Sequence, residues 1–163
     1  MAANETLITK DQPNKLKVKR SFNAPLSKVW PAWTQAELLD PWWAPRPWKA
    51  ITKSLDFSNG GLWLYSMNGP QGEVTWCRVD FHDIVDNKTF STAPSFCDEN
   101  GNKIAGSPEM HWTCNFSEAD GKTHVDIDIT FDSETDLEKI VAMGFKEGFT
   151  MGLGNLDELL AAQ

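Results

Sequence analysis

The groups in this chain able to do chemistry are few and scattered. His111 and His124 fall on the polar phase of two neighbouring hairpin strands. As cross-strand neighbours on the outer face, with Asp126 as the nearest third ligand, they could form a metal site; the alternative is a solvated face. His82-Asp83 falls where a long strand can bulge, a turn feature rather than an acid/base pair. Cys77, Cys97 and Cys114 match no zinc spacing and include no CxxC. Cys114 shares its phase with Trp112 and Phe116, so it should point into the core as an inert thiol, away from His111. Arg78 lies on a strand whose alternation, Trp76, Arg78, Asp80 against Cys77, Val79, Phe81, leaves the facing open. Facing inward, Arg78 needs a carboxylate or an anionic ligand; facing outward, it sits beside Asp80. Gly60-Gly61 is a turn, because no helix follows it to hold a phosphate. No catalytic residue, metal ligand or cofactor is therefore predicted.

The aromatic residues carry more information. Eight tryptophans need a broad core or a cavity to line. Trp63, Tyr65 and Met67 share one strand phase, and Met110 and Trp112 share another. Trp30, Trp33, Trp42 and Trp43 belong to a helical and proline-rich stretch. Phe145 and Phe149 sit on a C-terminal helix beside Gly144, Gly148 and Gly152, four residues apart, with Gly154 nearby. Each interior glycine costs roughly 0.8–1 kcal/mol relative to alanine, so the strip needs a reason. Close packing of the helix on a sheet is one; room for a ligand is the other. The ligand reading predicts a cavity lined by Trp30, Trp33, Trp43, Trp63, Tyr65, Met67, Met110, Trp112, Phe145, Gly148, Phe149 and Gly152. Tyr65 OH is its polar handle, and Met67, Met110, Met143 and Met151 let the walls adapt. A solid aromatic core is the competing reading.

These residues need elements to hold them. Residues 1–14 are polar and read as a loose tail, followed by one domain over 15–163. Leu16, Val18, Arg20 and Phe22 alternate with Lys15, Lys17, Lys19 and Ser21, a half-buried strand. Pro25 opens a helix carrying Leu26, Val29, Trp30 and Trp33, which Pro31 should shorten or kink. A second short helix, Gln35 to Leu39, has Thr34 as its N-cap, and residues 41–48 form a proline-rich ordered loop. Strands follow over 49–57, 62–67, 73–84, 89–96, 110–116 and 123–131, separated by Asn/Gly/Asp turns. The stretch from Thr135 to Leu160 reads as one long helix with Ser133 as N-cap. Sequential hairpins imply an α+β fold, a curved antiparallel sheet of about seven strands whose concave face only the long helix can cover.

Composition bounds the partners. With 40% hydrophobic and 23% charged residues the chain resembles an ordinary soluble domain. A net charge of −8 offers no basic surface for nucleic acid or anionic membranes. The N-terminus lacks an apolar secretory core, and no apolar run reaches membrane-spanning length. Three thiols fit a reducing compartment, so a cytoplasmic protein is expected, as monomer or homodimer.

Several motifs in order carry a family resemblance. These are Arg-Ser-Phe-Asn-Ala-Pro at 20–25, Val-Trp-Pro-Ala-Trp-Thr at 29–34, Trp-Trp-Ala-Pro at 42–45 and the Gly-Gly pair at 60–61. Met-Asn-Gly-Pro-Gln-Gly at 67–72, Asp-Gly-Lys-Thr at 120–123 and Met-Gly-Phe-Lys-Glu-Gly-Phe-Thr at 143–150 complete the set. Together the chain resembles the SRPBCC superfamily, also called START-like or birch-pollen-allergen-like. Within it, the chain is similar to the subfamily named for activators of a heat-shock chaperone ATPase, in their C-terminal domain. The resemblance implies the helix-grip fold. It also implies two functions: binding of a small apolar ligand, or contact with a chaperone partner. A cyclase- or hydrolase-like enzyme of the superfamily is a third option, although no catalytic motif carries over.

Overall fold

The computed structural model describes residues 6–162. Residues 1–5 and Gln163, parts of the expected tail and domain, lie outside the described residues. The elements run β1 (Leu7–Gln12), β2 (Lys15–Phe22), α1 (Leu26–Thr34), α2 (Ala36–Leu39), β3 (Lys49–Leu55), β4 (Leu62–Asn68), β5 (Val74–Val85) and β6 (Thr89–Cys97). They end with β7 (Met110–Ala119), β8 (Lys122–Phe131), α3 (Glu134–Ala142) and α4 (Phe145–Ala161). The strands form one antiparallel sheet in the order β1-β2-β8-β7-β6-β5-β4-β3. This is the helix-grip architecture.

Strand alternation sets which face holds the core. Trp112 pairs with Ile129, Cys114 with Ile127 and Phe116 with Val125, and all six side chains are buried. The intervening pairs, His111 with Thr130 and Asn115 with Asp126, face outward. A slip of one residue would invert both sets, so the apolar face fixes the register. On β2 the same inner phase carries Leu16, Val18, Arg20 and Phe22, all buried.

Three expectations change. The supposed tail contributes β1, paired with β2 from Leu7↔Lys19 to Gln12↔Lys15, which brings the sheet to eight strands. Its six residues show mostly exposed side chains, and that polar pattern is why it reads as a tail. Pro31 lies inside α1, a helix of nine residues that runs three residues past it to Thr34. Thr34 does not cap α2: its hydroxyl donates back to the Trp30 carbonyl at 3.0 Å, and Gln35 is the N-cap residue, with no side-chain hydrogen bond.

The third change concerns the long helix, which is two. Ser133 caps α3 as expected, its hydroxyl accepting from the Asp136 N–H at 3.1 Å. The helix then stops at Met143, and Gly144 takes φ +90°, the left-handed conformation that commonly terminates helices and favours glycine. α4 restarts at Phe145 with no side-chain cap. Gly144 is thus a hinge between helices rather than part of a helical strip. An alanine Cβ there would meet no heavy atom within 4 Å, so only backbone strain opposes it. Gly144→Ala should therefore destabilise the fold by about 1–2 kcal/mol in chemical denaturation, with no change in secondary structure content.

A tryptophan-walled chamber beneath the C-terminal helix

The concave face of the sheet meets α1, α2 and the 41–48 loop around an apolar void of about 30 Å³. Trp33, Trp43, Trp63 and Trp112 border it, together with Leu39, Val79, Phe81, Phe90, Thr92, Pro94 and Cys114. The four tryptophans come from four different segments: α1, the proline-rich loop, β4 and β7. Trp43 is the hub, with ring centroids 6.3 Å from Trp33, 5.3 Å from Trp63 and 6.3 Å from Trp112.

The other residues predicted for a cavity lie around this centre. Tyr65 stacks on Trp63 with centroids 4.1 Å apart, and its hydroxyl accepts from Trp43 Nε1 at 2.9 Å. It thus fixes Trp43 rather than standing free for a ligand. Phe145 and Phe149 stack on each other at 5.5 Å and meet the Trp112 ring edge-on, at 5.9 and 5.3 Å. Trp30 packs one layer away, against Phe57, Phe90 and Phe116. Met67 and Met110 are partly buried against the core, away from the void.

Gly148 and Gly152 do not border the void either. A Cβ on Gly152 would lie 3.2 Å from the carbonyl oxygens of both Trp42 and Trp43, and one on Gly148 would lie 3.6 Å from Pro45. The glycines let α4 approach the backbone of the proline-rich loop, so packing explains them, though against a loop rather than the sheet. One turn on, the buried Asn155 donates its side-chain N–H groups to the carbonyls of Trp42 at 3.4 Å and Ala44 at 3.2 Å. Sequence reasoning passed over Asn155, a lone polar residue among the apolar positions of α4. It passed over Arg20 too. That guanidinium is buried on the inner face and forms a two-pronged ion pair with Asp157 of α4. It also donates to Thr6 Oγ1 at 3.0 Å and the Ser21 carbonyl at 2.8 Å. The need of a buried arginine for a carboxylate is met at Arg20, whereas Arg78 lies on the outer face beside Asp80, donating at 2.6 Å.

The indole N–H groups divide into two sets. Trp42 donates to the Ala32 carbonyl, Trp43 to Tyr65 OH and Trp63 to Thr52 Oγ1, at 2.9, 2.9 and 3.0 Å. Thr52 in turn donates to Asp40 at 2.6 Å. Trp33 and Trp112, only 4% and 5% exposed, have no acceptor for theirs among the described residues. Both rings border the void.

Burial pushes the Cys114 thiol far up and Cys77 to about 11, so neither supplies a thiolate near neutral pH. Burial likewise holds the Tyr65 phenol well above its ordinary value, with Cys77 beside it adding to the shift. His111 pairs with Thr130 and His124 with Ser117, so the two are not cross-strand neighbours. Among the described residues no group of three His, Cys, Asp or Glu side chains could hold a metal. His82 Nδ1 lies 2.9 Å from Asp83, at an irregularity in the β5–β6 register where Asp83 has φ +53°.

A family model described as activator of Hsp90 ATPase homolog 1-like protein matches residues 23–161. The chain belongs to this family. Protein Ms6760 from Mycobacterium smegmatis shares its fold, with TM-score 0.88, 26% identity, and 98% of this chain and 99% of that one covered. A protein from Staphylococcus epidermidis matches with TM-score 0.84 and 29% identity over 95% of this chain and 93% of that one. One from Arthrobacter aurescens matches with TM-score 0.89 and 26% identity over 96% and 92%. No curated protein matches the sequence. Fold and family together mark a ligand-binding or chaperone-activator module of the SRPBCC type. No helix among the described residues is long and apolar enough to cross a membrane.

The glycine packing separates two substitutions on one helix. Gly152→Ala forces its Cβ onto two backbone carbonyls, and overpacking of this kind costs about 1–3 kcal/mol, more than the helix propensity gained. Gly154→Ala meets nothing within 4 Å and should stabilise α4 by about 0.8–1 kcal/mol. Urea denaturation of both variants should give shifts of opposite sign.

Proposed function

We propose that this protein binds a small, largely apolar molecule in the tryptophan-walled chamber, as a carrier or sensor rather than a catalyst. The observation that carries this reading is the convergence of four tryptophan rings from four segments on one apolar void. Its volume of about 30 Å³ is the share of one water molecule in the liquid, so a ligand enters by displacing side chains. The element suited to move is the start of α4, whose Phe145 and Phe149 pack behind the Trp112 wall. Phe145 is half-exposed, follows the left-handed Gly144 and begins a helix without a side-chain cap. Segments with few buried contacts and weakly held backbone ends open at low free energy. The groups bordering the void support binding over catalysis: Thr92 and a protonated Cys114 are its only hydroxyl and thiol. Three free cysteines suit a reducing compartment, so we place the protein in the cytoplasm.

The family description favours a second reading, stimulation of a chaperone ATPase. That function would use the sheet surface and change an ATPase rate on mixing, with no need for the chamber.

Intrinsic tryptophan fluorescence, followed while lipids, sterols and aromatic polyketide-like compounds are titrated, separates the two. Binding in the chamber should give saturable quenching by one class. The same class should raise the melting temperature by mass action. A flat response across the panel, together with a stimulated chaperone ATPase, would replace the first reading with the second.

A further inference from the structure

Resting on the binding function proposed above, we infer that the chamber selects a neutral ligand presenting a hydrogen-bond acceptor, such as an aromatic ketone, to the indole N–H groups of Trp33 and Trp112. The fold satisfies the indoles of Trp42, Trp43 and Trp63 with a carbonyl, a phenol and a hydroxyl. It leaves the N–H groups of Trp33 and Trp112 buried without an acceptor, and these are the two further rings that border the void. Buried donors are nearly always paired, and an exception asks for a partner. The other buried polar atoms without one, Ser95 Oγ and an Asp128 oxygen, belong to the opposite face of the sheet, where Ser95 pairs with Arg78 and Asp128 with Thr113.

The chamber's chemistry narrows the ligand further. An indole N–H can only donate, so a ligand atom beside it must accept. Tyr65 oxygen already accepts a hydrogen bond from the Trp43 indole N–H, which occupies the strongest nearby acceptor for a ligand donor. No charged side chain borders the void. The buried Arg20 is committed to Asp157, and Arg78 is on the outer face with Asp80. An anion would therefore lose its hydration without a counter-charge. Aromatic walls can also attract a quaternary ammonium group, but two unpaired buried donors on the bordering rings and the lack of a bordering carboxylate oppose one. A flat ring bearing a carbonyl satisfies both features: its ring stacks among the tryptophans and its oxygen accepts from an indole.

The test uses the full chain, labelled with nitrogen-15, and three probes of similar size: acetophenone, ethylbenzene and phenyltrimethylammonium. Acetophenone should bind about ten-fold more tightly than ethylbenzene, the margin expected for a hydrogen bond to an otherwise unpaired buried donor. It should also move the Trp33 or Trp112 indole N–H resonance downfield. Trp33→Phe and Trp112→Phe keep a ring and remove the donor, and one or both should abolish the preference for acetophenone over ethylbenzene, read as the ratio of the two affinities within each variant. If either variant fails to fold, the indole shifts of the unaltered protein decide the matter. Equal affinity for acetophenone and ethylbenzene, with both indole signals unmoved, would overturn the inference and leave apolar binding standing. Preference for phenyltrimethylammonium would overturn it too. Indole signals already exchanging magnetisation with a trapped water that acetophenone does not displace would do the same. Binding of none of the three would remove the binding function and this inference together.

Discussion

The rest of the structure depends on the backbone of residues 42–44 lying directly on α4. Gly152 leaves the space for the Trp42 and Trp43 carbonyls, and Asn155 ties down those of Trp42 and Ala44. A loop with three prolines offers little regular hydrogen bonding of its own, so its buried carbonyls need partners from elsewhere. With the loop held, Trp42 turns its indole to Ala32 and Trp43 turns its indole to Tyr65. Those two contacts join the short helices to β4. The chamber is a consequence: it is the space that remains where a clamped loop, a curved sheet and a helix meet.

A second constraint holds the far end of α4. Arg20 on the inner face of β2 reaches Asp157 and also Thr6, just before β1. The ion pair fixes the last turns of α4 to the β2 end of the same inner face, where β2 is separated from β4 by four strands. The first turn of α4 has no such anchor and follows the left-handed Gly144. The helix is therefore fixed at its C-terminal half and joined through a hinge at its start. Motion concentrated near Phe145 and Phe149 would change the chamber without disturbing the core layer of Leu153, Leu156 and Leu160.

Much of this was legible in the sequence, for reasons tied to particular residues. The strands β2, β7 and β8 show clean alternation because one face is buried and the other solvated, and their boundaries come out within a few residues. Grouping Trp33, Trp63 and Trp112 was possible because each shares a phase with other apolar residues, and Trp43 joined them as a ring of the proline-rich loop expected to pack inward. What could not be read was the distinction between glycines. Gly144, Gly148 and Gly152 repeat every four residues, yet one ends a helix and another admits a carbonyl. That difference depends on backbone conformation and on a loop more than 100 positions away. β1 escaped notice because an edge strand with exposed side chains carries little apolar signal. Arg20 stood in plain sight on an apolar phase, but its carboxylate lies 137 residues downstream, beyond any local pattern.

The central claim is that the chamber is soft and apolar, able to widen around a guest. Xenon tests it most directly, because it makes no hydrogen bonds and reports on the space alone. Carbon-13 methyl spectra recorded under rising xenon pressure should show saturable shifts concentrated at Leu39 and Val79, which border the void. Shifts confined to exposed side chains such as Ile51 and Val74, or a linear drift without saturation, would show a filled core and contradict the account.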